Sequence, residues 1–154
     1  MTDFELIKMA LEAREMAYTP YSHHKVGAAL LCQDGTVVKG CNIENAGYTP
    51  TNCAERTAVF KAVSEGKKDF EAIAIVGGMD NLKELPLCAP CGVCRQVLRE
   101  FVNPDNFKVV LAQVDDVTDL SKLVESQVHP KTMTLTELLP LGFGPENLVV
   151  ATGE

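Results

Sequence analysis

Cys53-Ala54-Glu55 and the later run Pro90-Cys91-Gly92-Val93-Cys94 oblige two distant segments of this chain to meet at one point. Thiolates are zinc ligands, and three protein ligands leave a tetrahedral zinc ion with one position for water. Glu55, two residues beyond the first cysteine, adds a carboxylate where it can carry protons for that water. A structural zinc site needs a fourth protein ligand and leaves such a glutamate without a task. The pattern therefore points to hydrolysis, and any fold for this chain must present both segments to the same ion.

The bounds of the chain agree. With 154 residues, 46% hydrophobic and 23% charged, and only 8 Pro and 11 Gly, it is expected to form a single domain over residues 1–154 with a core that needs no disulfide staples. The stretch MTDFELIKMALEARE carries acids through a helical pattern, unlike a secretory signal, and no apolar run approaches membrane-spanning length. The expected location is cytoplasmic, where the six cysteines stay as thiols. A net charge of −7 argues against nucleic acid, whose phosphates need a basic surface, and suits a small, nearly neutral substrate.

A coarse pass places the motifs on elements. Thr2 to Glu5 reads as a capping box, and Phe4, Ile7, Ala10, Leu11 and Ala17 form one stripe, so a first helix is expected to run to about Ala17. Val26 to Cys32 and Thr36 to Ile43 are strand-like runs around Gln33-Asp34-Gly35, a hairpin signal. Thr51 and Asn52 offer caps for a helix from about Cys53 to Glu65, stopped by Gly66. Phe70 to Gly77 reads as a buried strand, Cys91 to about Phe101 as a helix, and Lys108 to Val114 as another strand. Strands alternating with helices imply an α/β sandwich with parallel pairing in its later half. Val117 to Lys131 reads equally as a short helix or an irregular insertion. Cys53 would begin one helix and Cys91 and Cys94 another, so two positive helix ends would face the metal and stabilise thiolates. Arg56 is the neighbouring donor placed to hydrogen-bond a ligand sulfur.

Each motif also has a plainer reading. Cys91 and Cys94 alone would equally suit a redox pair or core thiols, and Glu55 alone a first-turn glutamate favoured by the helix dipole. Their combination with Cys53 and Pro90 favours metal chemistry. Cys88 and Cys91 form a competing Cys-x-x-Cys, but Pro90 bars a helix from continuing back to Cys88, which favours Cys91 and Cys94. Cys32 and Cys41 read as core thiols, Arg95 as a structural or surface arginine, and His129 has no assigned role. Gly142 and Gly144 follow no strand-to-helix turn and make no phosphate loop.

The runs GCNIENAGYTPTNCAERTAVFKAVSEG and PCGVCRQVL resemble the cytidine deaminases of the small homotetrameric type, and the resemblance extends from Tyr21 to about Leu148. It implies a three-layer α/β/α sandwich around a mixed five-stranded sheet. It also implies one zinc per chain on Cys53, Cys91 and Cys94, with Glu55 as catalytic proton shuttle. The implied reaction converts cytidine, and deoxycytidine with it, to the uracil nucleoside and ammonia in pyrimidine salvage, with no organic cofactor. Asn42 and Glu44 are implied to hydrogen-bond the ribose 3′-hydroxyl; two apart at a strand end, they would face the same side. Ala54 joins the pocket, and Ala46, Tyr48 and Phe143 match segments that neighbouring subunits contribute to it.

Two departures stand out. His24 occupies the place of a family phenylalanine in Tyr21-Ser22-His23-His24-Lys25-Val26-Gly27, so an imidazole replaces a hydrophobic ring beside the pyrimidine. The segment between Val114 and Thr134 is also longer than the family's, although Thr134 to Glu137 still reads as a capping box. The nearest rival reading is a deaminase of another cytosine nucleoside, of the blasticidin S type. A structural zinc module for interaction lacks its fourth ligand.

Overall fold

In the computed structural model, which describes residues 1–149, the hairpin signal is met by β1 (His24–Cys32) and β2 (Val37–Cys41), paired antiparallel. Gly35 takes a positive φ of 88°, and the Asp34 carboxylate accepts from the Thr36 N–H and hydroxyl, which closes the turn. β3 (Phe70–Met79) runs antiparallel to β1 and parallel to β4 (Lys108–Val114), and β5 (Val128–Thr134) pairs antiparallel with β4. The sheet order is β2-β1-β3-β4-β5. The parallel β3–β4 pair needs a crossover, and the connection carries α3 (Gly92–Phe101) across the sheet.

Helices cover both faces. α1 (Asp3–Arg14) begins with the expected capping box, in which Thr2 accepts from the Glu5 N–H and the Glu5 carboxylate accepts from the Thr2 N–H. Its Leu6, Ile7, Ala10 and Leu11 bury against Ala29, Ala72, Ala74, Val76 and Val110 on one face. On the other face α2 (Ala54–Ser64) and α3 lay Ala58, Val59, Ala62 and Leu98 over Ala28, Leu30, Ile73, Ile75 and Val109. Alternate residues of β1, β3 and β4 thus serve opposite layers, and the expected three-layer α/β/α sandwich with a mixed five-stranded sheet is the architecture found.

Several boundaries differ from the expectation: β1 begins at His24 instead of Val26, β2 spans Val37–Cys41 instead of Thr36 to Ile43, and β3 runs on past Gly77 to Met79. α1 ends at Arg14, not Ala17, because the Arg14 guanidinium turns inward to donate to the carbonyls of Lys25 and Gly78, both at 2.9 Å. The chain then turns so that the Tyr18 N–H reaches the Asn42 carbonyl. α2 takes Cys53 as its N-cap in place of Thr51 or Asn52. The undecided 117–131 stretch resolves into 3-10 turns at Leu120–Lys122 and Glu125–Gln127, followed by β5. The helix at Leu135–Leu138, α4, has the expected Thr134–Glu137 capping box, and a short α5 (Glu146–Val149) follows. Among the described residues no helix is long and apolar enough to cross a membrane.

Two glycines set how closely the layers meet. A Cβ on Gly27 would lie 2.0 Å from the Ala10 carbonyl oxygen, so β1 lies hard against α1. A Cβ on Gly40 would lie 2.5 Å from the Ala54 oxygen and the Ala58 nitrogen, which fixes the depth of the first turn of α2. Gly27→Ala must push the helix off the strand and is expected to cost about 1–3 kcal/mol. Thermal unfolding would register this as a lower midpoint, and an unchanged midpoint would contradict so close a contact.

Candidate active site

Cys53 and Cys91 are the N-cap residues of α2 and α3, each in an extended conformation and each without a side-chain capping bond. A side chain at that position leans past the helix end, so both sulfurs are free to meet in front of two positive termini. Cys94, in the first turn of α3, completes the group. The three Sγ atoms lie within 4.8 Å of one another, with Cys53 to Cys91 at 3.8 Å and Cys91 to Cys94 at 3.5 Å. A tetrahedral ion with zinc–sulfur bonds of about 2.3 Å sets its sulfurs about 3.8 Å apart, so the donor set fits zinc.

The charges around the sulfurs are arranged for a thiolate cluster. Arg56 Nη2 donates to Cys53 Sγ at 3.2 Å, the contact expected of it, and Arg56 Nε is buried with no partner among the described residues. A thiol hydrogen bond from Cys94 draws the Cys53 thiol down to about 5, with help from Arg56 and Cys91 against the opposing effect of burial. As the donor in that contact, Cys94 is itself pushed up, and burial adds to the shift. A divalent cation held by these sulfurs would favour their thiolate forms.

Glu55 follows in the first turn of α2 and is only 4% exposed. Burial raises its carboxyl above the ordinary range, and the Cys53 charge adds to the rise. Cys88 lies in the loop before Pro90 and is not one of the three sulfurs, in line with the Cys91 and Cys94 register. Its Sγ packs where a Gly77 side chain would be, 2.8 Å from an ideal Cβ, and burial pushes its thiol up to about 11. Arg95 is structural: it donates to the Pro90 carbonyl at 2.7 Å and the Leu138 carbonyl at 2.6 Å, fixing the approach to Cys91.

A cleft of about 270 Å³ opens in front of the sulfurs. Its lining includes Cys53, Ala54, Glu55, Cys91, His24, Asn42 and Glu44, so seven of the expected site residues converge on it. Asn42 and Glu44 share a side because the intervening Ile43 is pinned to Asn52 by two backbone bonds of 2.9 Å, while Tyr18 bonds the flanking Asn42 carbonyl and Glu44 N–H. Neither side chain is idle. Asn42 accepts from the Val26 N–H at 2.9 Å and donates to the His24 carbonyl at 2.8 Å. Glu44 Oε1 accepts from the N–H groups of Tyr21 and Ser22 at 3.0 and 3.1 Å, and its Oε2 accepts from the Ser22 hydroxyl.

Ala46, Tyr48 and Phe143 do not line this cleft. All three are exposed, Tyr48 at 76% with its ring edge-on to Tyr21, and Phe143 at 56%. Sequence reasoning missed Ser22, Val26, Cys88 and Ala89, which the cleft includes. The alternation of Ser22, His24 and Val26 ahead of and within β1 was the available signal for two of them.

These features define a class: an enzyme with a three-sulfur metal site left open for water, and a buried carboxyl at the edge of a polar cleft. The family pattern described as the cytidine and deoxycytidylate deaminase zinc-binding region matches residues 1–111, and the chain belongs to that family. A cytidine deaminase of Halalkalibacterium halodurans is 49% identical over 143 residues, covering 93% of this chain and 95% of the relative. The crystal structure of cytidine deaminase from Burkholderia pseudomallei has a TM-score of 0.74 at 43% identity and covers 93% of this chain and all of that one. A blasticidin-S deaminase of Bacillus cereus is 34% identical over 144 residues, with 92% of this chain and 91% of the relative covered.

Cys53→Ala, Cys91→Ala and Cys94→Ala are each expected to purify with little or no zinc, and Cys88→Ala with about one equivalent per chain. Elemental analysis of the four variants checks this; zinc lost from Cys88→Ala and kept in Cys94→Ala would move the ligand register back by three residues.

Proposed function

We propose that this chain catalyses the hydrolytic deamination of cytidine and deoxycytidine, giving uridine or deoxyuridine and ammonia. The observation that carries the reading is the placement of buried Glu55 beside three convergent sulfurs at the head of one cleft. Zinc held by those sulfurs supplies Lewis acidity, which makes a water molecule nucleophilic at neutral pH.

Glu55 takes one proton from the attacking water as its oxygen bonds to C4 of the cytosine ring and passes that proton to N3. It then takes the proton of the new C4 hydroxyl and passes it to the amino group, which leaves as ammonia as the C4–N bond breaks and the C4 carbonyl forms. The raised affinity of its carboxyl for protons suits a group that must hold one between those steps. Arg56 and the two helix ends hold the sulfurs in place and offset their charge.

The sugar binds at Asn42 and Glu44. An ionised carboxylate offers about four lone-pair positions, and Glu44 already accepts three hydrogen bonds, leaving one on Oε2. Asn42 keeps one free N–H. A 3′-hydroxyl can donate to the first and accept from the second, while a 3′-phosphate can do neither without bringing its charge against Glu44. The imidazole of His24 packs beside the base. The exposed places of Ala46, Tyr48 and Phe143, outside their own chain's cleft, support a homotetramer in which a neighbour closes the pocket.

The test is loss of cytidine absorbance with purified protein, run beside deoxycytidine, cytosine, CMP and blasticidin S. Cytidine and deoxycytidine are expected to be the best substrates. Faster turnover of blasticidin S would move the assignment to that nucleoside. Glu55→Gln removes the proton carrier and leaves the sulfurs, so it is expected to keep zinc and fold yet lose about a thousandfold in kcat. Near-normal kcat in that variant would reduce Glu55 to a helix-end residue.

A further inference from the structure

We propose that Ser22 is a positioning residue that couples the Glu44 carboxylate to the placement of His24, so that the sugar and base subsites are preset as one unit. The inference rests on the reading in which Glu44 receives the ribose 3′-hydroxyl. One oxygen makes both connections: Ser22 Oγ donates to Glu44 Oε2 and accepts from the His24 N–H at 3.1 Å. A serine hydroxyl has one proton and two lone pairs, so the two roles do not compete.

The same residue is held from its other side. The His24 carbonyl accepts from Asn42 Nδ2 at 2.8 Å, so the backbone of His24 is gripped at its N–H by Ser22 and at its carbonyl by Asn42. Between Ser22 and His24 the chain passes through His23 at a φ of 59°, a conformation that persists only where contacts on both sides fix it. Those contacts are the His23 N–H on the Thr19 carbonyl at 3.1 Å, the Asp80 N–H on the His23 carbonyl at 2.8 Å, and the Ser22 hydroxyl itself.

With the hydroxyl in place, one lone pair of Oε2 is occupied and the other is aimed. Without it, Oε1 remains tethered by two N–H groups while Oε2 has no fixed direction, and the His24 N–H loses its acceptor. The part of the penalty that acts through Oε2 falls only on substrates carrying a 3′-hydroxyl, whereas the part that acts through His24 is shared by all.

The experiment measures kcat and KM for cytidine and 3′-deoxycytidine with the parent, Ser22→Ala, Ser22→Thr, Glu44→Ala and the Ser22→Ala/Glu44→Ala double variant, with zinc content alongside. Ser22→Ala is expected to lower the ratio of kcat/KM for cytidine over 3′-deoxycytidine about tenfold, mainly through KM and with zinc retained. Ser22→Thr, which keeps the hydroxyl, should restore the ratio. In the double variant the ratio should fall no further than in Glu44→Ala alone, because the two residues act through one contact. Equal losses on both substrates in Ser22→Ala, beside a selective loss in Glu44→Ala, would make Ser22 merely structural and overturn the proposal. Failure of Ser22→Thr to restore the ratio would also overturn it. A Glu44→Ala variant with no loss specific to the 3′-hydroxyl would instead overturn the sugar assignment on which the proposal rests.

Discussion

Three sulfurs within 4.8 Å of one another repel as anions, and the site depends on how that repulsion is held in check. Two helix N-termini face the cluster because Cys53 and Cys91 each occupy the N-cap of a helix, and Arg56 adds a full positive charge at 3.2 Å from Cys53. The sheet makes this convergence possible. The crossover between the parallel strands β3 and β4 delivers α3 to the same face as α2, and Gly40 lets the first turn of α2 sit against β2 with no side chain between them. A metal site of this kind is therefore a property of how closely the layers pack, not of the cysteines alone.

The two glutamates of the cleft show how environment divides the work between identical groups. Glu55 is buried beside sulfur charge, which raises its affinity for a proton and suits it to proton traffic. Glu44 accepts the Ser22 hydroxyl and the N–H groups of Tyr21 and Ser22, which hold it below the usual carboxylate range and suit it to accepting a hydrogen bond. The same carboxyl group is thus drawn in opposite directions by burial in one place and by three hydrogen bonds in the other.

Much of this was legible because it rests on local chemistry. The capping boxes at Thr2 and Thr134, the Asp34-Gly35 turn and the stop at Gly66 are short-range devices, and each reads directly from a few residues. The sulfurs, Glu55 and Arg56 followed from spacing on two helices. β5 was illegible because an edge strand need not alternate: His129 to Thr132 are all exposed, and Pro130 lacks the N–H a strand usually offers. The end of α1 was illegible because a buried arginine reaching Lys25 and Gly78 is a tertiary contact with no local signature. Ser22 was hidden for a related reason, since its meaning comes from Glu44, which the chain reaches only after the whole β1–β2 hairpin.

The cleft of one chain is lined by Cys53 and Cys91 together with Ser22, Asn42 and Glu44, and the aromatic side chains of Tyr48 and Phe143 lie outside that lining. Tyr48 and Phe143 are both aromatic and exposed, at 76% and 56%. Tyr48 also adopts a positive φ of 59°, a conformation that tertiary or intersubunit contacts must hold in place. Covering those rings with a second copy would at once remove apolar area from water and close a pocket that is otherwise open to solvent. In the proposed homotetramer, closure of the cleft and subunit association would be consequences of the same burial.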